Sequence, residues 1–223
     1  MPSRSCHDGR LGAVRSHLAR GSASSARRTP LRLGVIGLDS SHGVGFASDL
    51  SSPSSPHQHA TVVACVECGT GYKGGPVIES MSGNLPKHAE QMAAFGAPAV
   101  DTVASLLDQV DGVFLTSWDG RVRLDQAMEV LRRRRPMFMD KPIAASLAEV
   151  LAIYTIARAL DVPVFSSSSL RWLPGCVSAK AAGVSPGGGG IIGADITSPC
   201  PFESQFKPKP DLFHCESSTD DPV

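Results

Sequence analysis

The chain carries no net charge: 21 acidic and 21 basic side chains balance among its 223 residues. Without a field of one sign there is no electrostatic reason to expect nucleic acid or an anionic membrane, and a small molecule is the easier partner. No apolar run approaches the roughly 20 residues that cross a bilayer, and nothing near the amino terminus reads as the apolar core of a secretory signal. A disulfide framework is not expected either. Cys6, Cys65, Cys68, Cys176, Cys200 and Cys215 are scattered through a chain too long to need one, so reduced thiols in a cytosolic setting are the expectation. Acids are scarce at the start: Asp8 stands alone among the Arg and Ser residues of 1–30, which also lack apolar periodicity. A disordered leader is expected there. An organelle transit peptide, an over-extended start and a flexible tail all suit that composition.

Apolar residues nevertheless make up 42% of the chain, enough for a core. Residues 31–42, LRLGVIGLDSSH, read as a buried strand feeding a helix. Val35 and Ile36 are β-branched between Gly34 and Gly37, which suits a strand covered on both faces. Ser40 or Ser41 is placed to cap a helix over 42–50 through its hydroxyl, and the free N–H groups of such a junction favour an anion such as a phosphate. A second strand over 60–66 ends at Glu67, and helices follow over 87–95 and 102–109, with a short segment around Val100 between them. The clearest buried strand is 110–117, with a turn at Asp119-Gly120 and a helix over 124–135. A short strand at 137–139 closes on Asp140-Lys141-Pro142. The helix expected over 146–160 places Leu147, Val150, Leu151 and Tyr154 on one face, and a last strand spans 163–166. Alternation of strand and helix predicts an α/β fold: a doubly wound parallel sheet with its ligand crevice at the strands' carboxyl ends. Beyond Pro174 the glycines at 187–190 and the prolines at 199, 201, 208 and 210 leave one strand candidate, 191–196, and no core.

Other constellations are weak. Cys65-x-x-Cys68 lacks the second pair a structural zinc requires, and His57-x-His59 sits in a Pro/Ser loop, so no metal is assigned. Arg132 to Arg135 suit the negative end of a helix dipole. At the end of the last strand, Ser166 to Ser169 offer hydroxyls and Arg171 offers a partner for an anionic substrate group, or the segment is simply a capped turn.

Four segments together resemble the Gfo/Idh/MocA oxidoreductases, the family of glucose-fructose oxidoreductase and inositol dehydrogenase. They are Leu33-Gly34-Val35-Ile36-Gly37, Val110-Asp111-Gly112-Val113, Asp140-Lys141-Pro142 and Ser168-Ser169-Leu170-Arg171. Asp140-Lys141-Pro142, matching the family's E-K-P, is the most specific. The resemblance implies a Rossmann-like domain binding NAD or NADP over 31–167, followed by a second α+β domain, here incomplete at 168–223. It gives Lys141 the family lysine's role of contacting substrate and cofactor and assisting proton transfer, a role that partial desolvation beside Pro142 would favour by lowering its pKa. Gly37, Leu38, Asp39, Ser40, Ser41, His42, Ser117, Trp118, Asp140 and Lys141 then lie where the family holds its cofactor. Glu67, at the end of the second strand, suits the ribose hydroxyls of NAD and disfavours the extra phosphate of NADP. Arg171 is the candidate for contact with the substrate.

Three departures accompany the resemblance. In the G-x-G-x-x-G/A fingerprint the matching positions are Gly37, Asp39 and His42, so a carboxylate and a ring stand where small residues belong. After the 110–117 strand, where the family commonly reads T-P-x-x-x-H, the chain has Ser117-Trp118-Asp119-Gly120-Arg121, with Arg123 near the expected histidine; Trp118 and Arg121 are cleft candidates. The family's catalytic Asp and His come from the second domain, and the texture of the last 50 or so residues suggests truncation or a shifted reading frame. Two functions follow: an oxidoreductase acting on a sugar or cyclitol hydroxyl with NAD(P), or an inactive fragment or binding module without its catalytic partner domain. Association into a homo-oligomer is compatible with either.

Overall fold

A computed structural model describes residues 29–69, 71–75 and 82–183, together with 193 and 195. The expected leader up to residue 28, the 187–190 glycines, most of the 191–196 strand candidate and the tail lie outside the described residues.

Five strands form one sheet: β1 (Leu31–Ile36), β2 (Ala60–Val66), β3 (Gly112–Leu115), β4 (Met137–Met139) and β5 (Val164–Ser166), in the order β2-β1-β3-β4-β5. Every neighbouring pair is parallel. Parallel neighbours need crossovers, and α1 (His42–Ser51), α2 (Leu85–Ala94), α3 (Val103–Leu107), α4 (Gly120–Arg132) and α5 (Leu147–Ala159) lie between the strands. A 3-10 turn at Ser169–Trp172 leads into α6 (Pro174–Gly183). The chain leaves β1 for β2 on one side and returns past it to β3 on the other. The carboxyl ends of β1 and β3 are therefore the switch point where such sheets open a crevice. The segment around Val100 extends the sheet by a single bridge: Cys65 N–H donates to Pro98 O (3.1 Å) and Val100 N–H to Cys65 O (2.8 Å).

Alternating residues of β1 feed two cores. Val35 joins Leu38, Ala47, Cys65 and Met92 beneath α1 and α2, whereas Ile36 joins Leu106, Leu115, Leu131, Met139 and Ile153 on the other face. Reciprocal capping boxes, Thr102 with Ser105 and Ser146 with Glu149, start α3 and α5.

Three expectations are corrected. The third strand covers only Gly112–Leu115: Val110 and Asp111 precede it, and Thr116, whose N–H still donates to Ile36 O at 2.8 Å, leads with Ser117 into the crevice. Helix α4 starts four residues earlier than expected: the Asp119 carboxylate accepts the Arg121 N–H at 2.9 Å, so Asp119-Gly120 is a helix cap. On α5 the anticipated face is only partly right: Val150 and Tyr154 are half-buried, but both leucines point out. Leu147 is 72% and Leu151 58% exposed, and the helix buries Ile153 and Ala157 instead. Apolar residues surround much of this helix, so periodicity alone does not choose the stripe that packs beside α4. Among the described residues no helix is long and apolar enough to cross a membrane.

Candidate functional site

The turn after β1 is stitched to the end of β3 by short polar contacts. Gly37 adopts φ +93°, and a Cβ there would stand 2.3 Å from Ser117 Oγ, so only glycine fits. Thr116 Oγ1 donates to Gly37 O at 2.7 Å, and Ser40 Oγ donates to Thr116 O at 3.0 Å. Leu38 is buried, and its carbonyl accepts from His88 Nδ1 at 2.6 Å. Neither serine caps α1 through its hydroxyl: Ser41 occupies the N-cap position without a side-chain bond, and Ser40 is spent on Thr116.

The two replaced fingerprint positions behave differently from expectation. Asp39 is fully buried, its Oδ1 accepting the Trp118 N–H at 2.9 Å. A Cβ at Gly69 would come within 2.4 Å of its carboxylate. The carboxylate is thus withdrawn beneath the turn and does not occupy the surface a pyrophosphate would approach. Nor does the His42 ring fill the space between helix and strand. Gly43 does that work: it is buried, and a Cβ there would stand 2.7 Å from Val35 Cγ1 and 3.1 Å from Thr116 Oγ1. The packing position has moved one residue along, and the His42 ring turns instead toward β4, where Nδ1 donates to Asp140 Oδ2 at 2.5 Å.

Asp140 joins the pieces. Its Oδ1 accepts the Lys141 N–H at 2.8 Å, and its own N–H donates to Leu115 O at 2.9 Å. Burial pushes this carboxyl up, but the His42 bond and the nearby Arg123 charge outweigh it and hold the group below the usual carboxylate range. Beneath it lies Arg123, the largest fully buried side chain. Its guanidinium donates to the carbonyls of Ser117 (Nε, 2.7 Å), Asp140 and Lys141 (Nη2, 3.3 Å). Burial lowers its basicity to about 10, against the opposing pull of Asp140, Asp39 and Asp119. The group therefore stays charged at neutral pH.

Ser40, His42, Thr116, Trp118, Arg123, Asp140, Lys141 and Pro142 line one cleft of about 260 Å³, its open mouth included. Lys141 is half-buried, with Nζ 6.0 Å from the centroid of the Trp118 ring. The remaining predicted residues fall around this cleft. Ser117 is buried below it, donating to Gln126 Oε1 at 2.8 Å. Glu67 is exposed at the end of β2. Arg121 folds back onto Asp119 in a two-pronged pair, Nε at 2.9 Å and Nη2 at 2.8 Å. Arg171 is exposed in the 3-10 turn and does not line the cleft. Cys65 and Cys68 are free thiols that burial pushes up to about 12. Among the described residues no His, Cys, Asp and Glu side chains cluster as a metal site.

Sequence reasoning missed the central part of Arg123. The signal was present, because Arg123, Ala127, Val130 and Leu131 share one helical stripe, and a charge on a buried stripe must find partners.

A parallel sheet of this order, with a glycine turn and polar side chains gathered at its switch point, defines the doubly wound nucleotide-binding class. The model of the oxidoreductase family with an NAD-binding Rossmann fold, GFO_IDH_MocA, matches residues 43–168, more than half of the chain. The chain belongs to the Gfo/Idh/MocA oxidoreductases. The match begins after β1 and its turn, where the fingerprint departs. No curated protein matches. Solved structures share the fold: UDP-N-acetylglucosamine 3-dehydrogenase GnnA from Acidithiobacillus ferrooxidans, at 18% identity and a TM-score of 0.53, covers 69% of this chain and 42% of its own. An Agrobacterium radiobacter oxidoreductase in complex with NAD+, L-tartaric acid and magnesium also gives 18% and 0.53, over 69% and 40%. The WlbA dehydrogenase from Bordetella pertussis, in complex with NADH and UDP-GlcNAcA, gives 18% and 0.53, over 69% and 41%. The chain spans about two-fifths of the length of these proteins.

Proposed function

We propose that this chain binds NAD across the carboxyl ends of its sheet, through residues 31–167, and serves the oxidation or reduction of a sugar or cyclitol hydroxyl, with residues from 168 onward on the substrate side. The observation that carries the reading is the meeting, in one cleft, of the β1 turn with Trp118 and Lys141. The chain's own residues suit a dinucleotide. Gly37 keeps the left-handed turn, and Asp39 is withdrawn from the surface. Glu67 stands exposed where ribose hydroxyls need an acceptor, which favours NAD over NADP. Free Cys65, buried, and Cys68, half-buried, suit a reducing, cytosolic setting.

When bound, the nicotinamide supplies a hydride acceptor or donor. Lys141 hydrogen-bonds the reacting oxygen of the substrate and assists movement of its proton, while its stem runs beside the Trp118 ring. Arg123 fixes Lys141 by gripping the carbonyls of the peptides before and after it, those of Asp140 and Lys141. Titration of the purified chain with NADH, followed by nicotinamide fluorescence, is expected to saturate and to favour NADH over NADPH. Absence of binding at millimolar cofactor would overturn the reading. If turnover is found, Lys141→Ala is expected to lower it without abolishing it.

A further inference from the structure

We propose that His42 is the proton acceptor of the cleft, acting through Nε2 while Asp140 holds its ring. The inference rests on the oxidoreductase reading above and adds a second catalytic residue to Lys141. A carboxylate only accepts, so the proton between His42 Nδ1 and Asp140 Oδ2, 2.5 Å apart, belongs to the imidazole, and the neutral ring carries its lone pair on Nε2. Among the described residues no hydrogen bond engages Nε2, and the His42 side chain is 24% exposed while lining the same cleft as Lys141. The arrangement has the logic of other acid–imidazole pairs, in which a buried carboxylate fixes the tautomer and steadies the imidazolium that forms. The charged groups facing the ring are Asp140, Lys141 and Arg123, with Asp39 and Asp119 behind the guanidinium.

The chemistry also asks for such a group. In its ammonium form Lys141 has three donors and no lone pair, so it can polarise a hydroxyl but cannot take its proton. In the oxidation the O–H bond breaks and its proton passes to Nε2. The O–H electron pair would become the second bond of the carbonyl, and a bound oxidised nicotinamide would supply the acceptor for the hydride lost from carbon. Reduction runs the same transfers backwards. Asp140 Oδ1 holds the Lys141 N–H while Oδ2 holds the His42 ring, so one carboxylate sets the spacing of both groups.

His42→Asn separates this role from a structural one. The amide Nδ2 takes the place of imidazole Nδ1 and keeps the bond to Asp140, but the Nε2 acceptor is gone. With NAD+ and myo-inositol or D-glucose as probes, His42→Asn in the full chain is expected to lower kcat by about 10² to 10⁴-fold. It is also expected to leave NADH affinity and melting temperature as in the wild type. Retained activity would overturn the proposal, and so would a loss of NADH affinity equal to the loss of kcat/KM, which would make His42 a cofactor grip. If the chain binds no NADH, the oxidoreductase reading fails and this inference with it; if it binds NADH but turns over neither probe, ¹⁵N NMR of the labelled histidines tests the arrangement alone. A His42 ring protonated on Nδ1 and bare on Nε2 supports it, and the opposite tautomer overturns it.

Discussion

Replacing Arg123 tests how the cleft is held together. In Arg123→Met the unbranched apolar stem is kept while the charge and the donors are lost. The carbonyls of Ser117, Asp140 and Lys141 then lose their partners inside the protein, and an orphaned buried acceptor costs about 1–3 kcal/mol. Asp140, Asp39 and Asp119 also lose the cation that offsets them. One contribution runs the other way. Burial has already lowered the guanidinium's basicity to about 10, so removing the charge relieves a desolvation cost, and the separate losses do not simply add. Breaking a buried ionic network by deleting one member costs about 3–5 kcal/mol, and that is the magnitude expected here. In a chain of this size it corresponds to a fall in melting temperature of about 6 to 20 °C. Trp118 is the natural reporter, since it is half-buried with its N–H bonded to Asp39, whereas Trp172 is 70% exposed. Urea unfolding followed by its fluorescence gives the difference directly. Arg123→Lys keeps the charge but cannot fork to three carbonyls, and is expected to fall between wild type and Met. A loss below about 1 kcal/mol for Arg123→Met would refute the reasoning, because it would mean the three carbonyls are satisfied without the guanidinium.

Two further expectations concern the packing around the turn. Gly43→Ala would drive a methyl to 2.7 Å from Val35 Cγ1 and is expected to destabilise by about 1–3 kcal/mol, read as a lowered urea midpoint; an unchanged midpoint would show that α1 can ride away from β1 at no cost. Cys65 and Cys68, with thiols pushed up to about 12 by burial, are expected to resist alkylation at mildly alkaline pH while exposed Cys176 reacts. Peptide mapping by mass spectrometry checks this, and rapid labelling of Cys68 in the folded chain would contradict it.

The sheet was legible because its strands read as continuous β-prone runs, and β2, β3 and β4 are largely buried; β2 and β4 fall on the residues their composition marks. Helix starts were legible where the cap is reciprocal, as at Ser146 and Glu149, and misread at Asp119, where a turn-like Asp-Gly pair is itself the cap. The exposed leucines of α5 show a different limit. Local periodicity records that a face is apolar, while the choice of which face packs depends on neighbours far away in sequence. That Lys141, Trp118 and the turn meet in one cleft was legible, because strand ends in a parallel sheet converge by topology. Its interior was not: that His42 meets Asp140, 98 residues away, and that Arg123 lies beneath both, depends on packing no local pattern records.

Taken singly, His42 and Asp140 are two defects in a family pattern, a ring in place of a small residue and a shorter acid in place of Glu. The structure makes them one device. Because Gly43 has taken over the close approach to β1, position 42 is free to carry a side chain, and Asp140 accepts that side chain's Nδ1–H. If so, the two substitutions His42→Ala and Asp140→Asn must not act independently. A double-mutant cycle on urea stability is expected to give a coupling of about 1–3 kcal/mol near neutral pH, within the range of residues in direct contact. The coupling must also depend on pH in one direction. The Asp140 carboxyl titrates lower in the folded chain than in the unfolded one, so the stability it contributes is present above the ordinary carboxylate range, about pH 4, and is lost as pH falls through its depressed value. A cycle that closes additively at pH 7, or a coupling that survives undiminished once Asp140 is protonated, would mean that the two residues sit side by side without acting together.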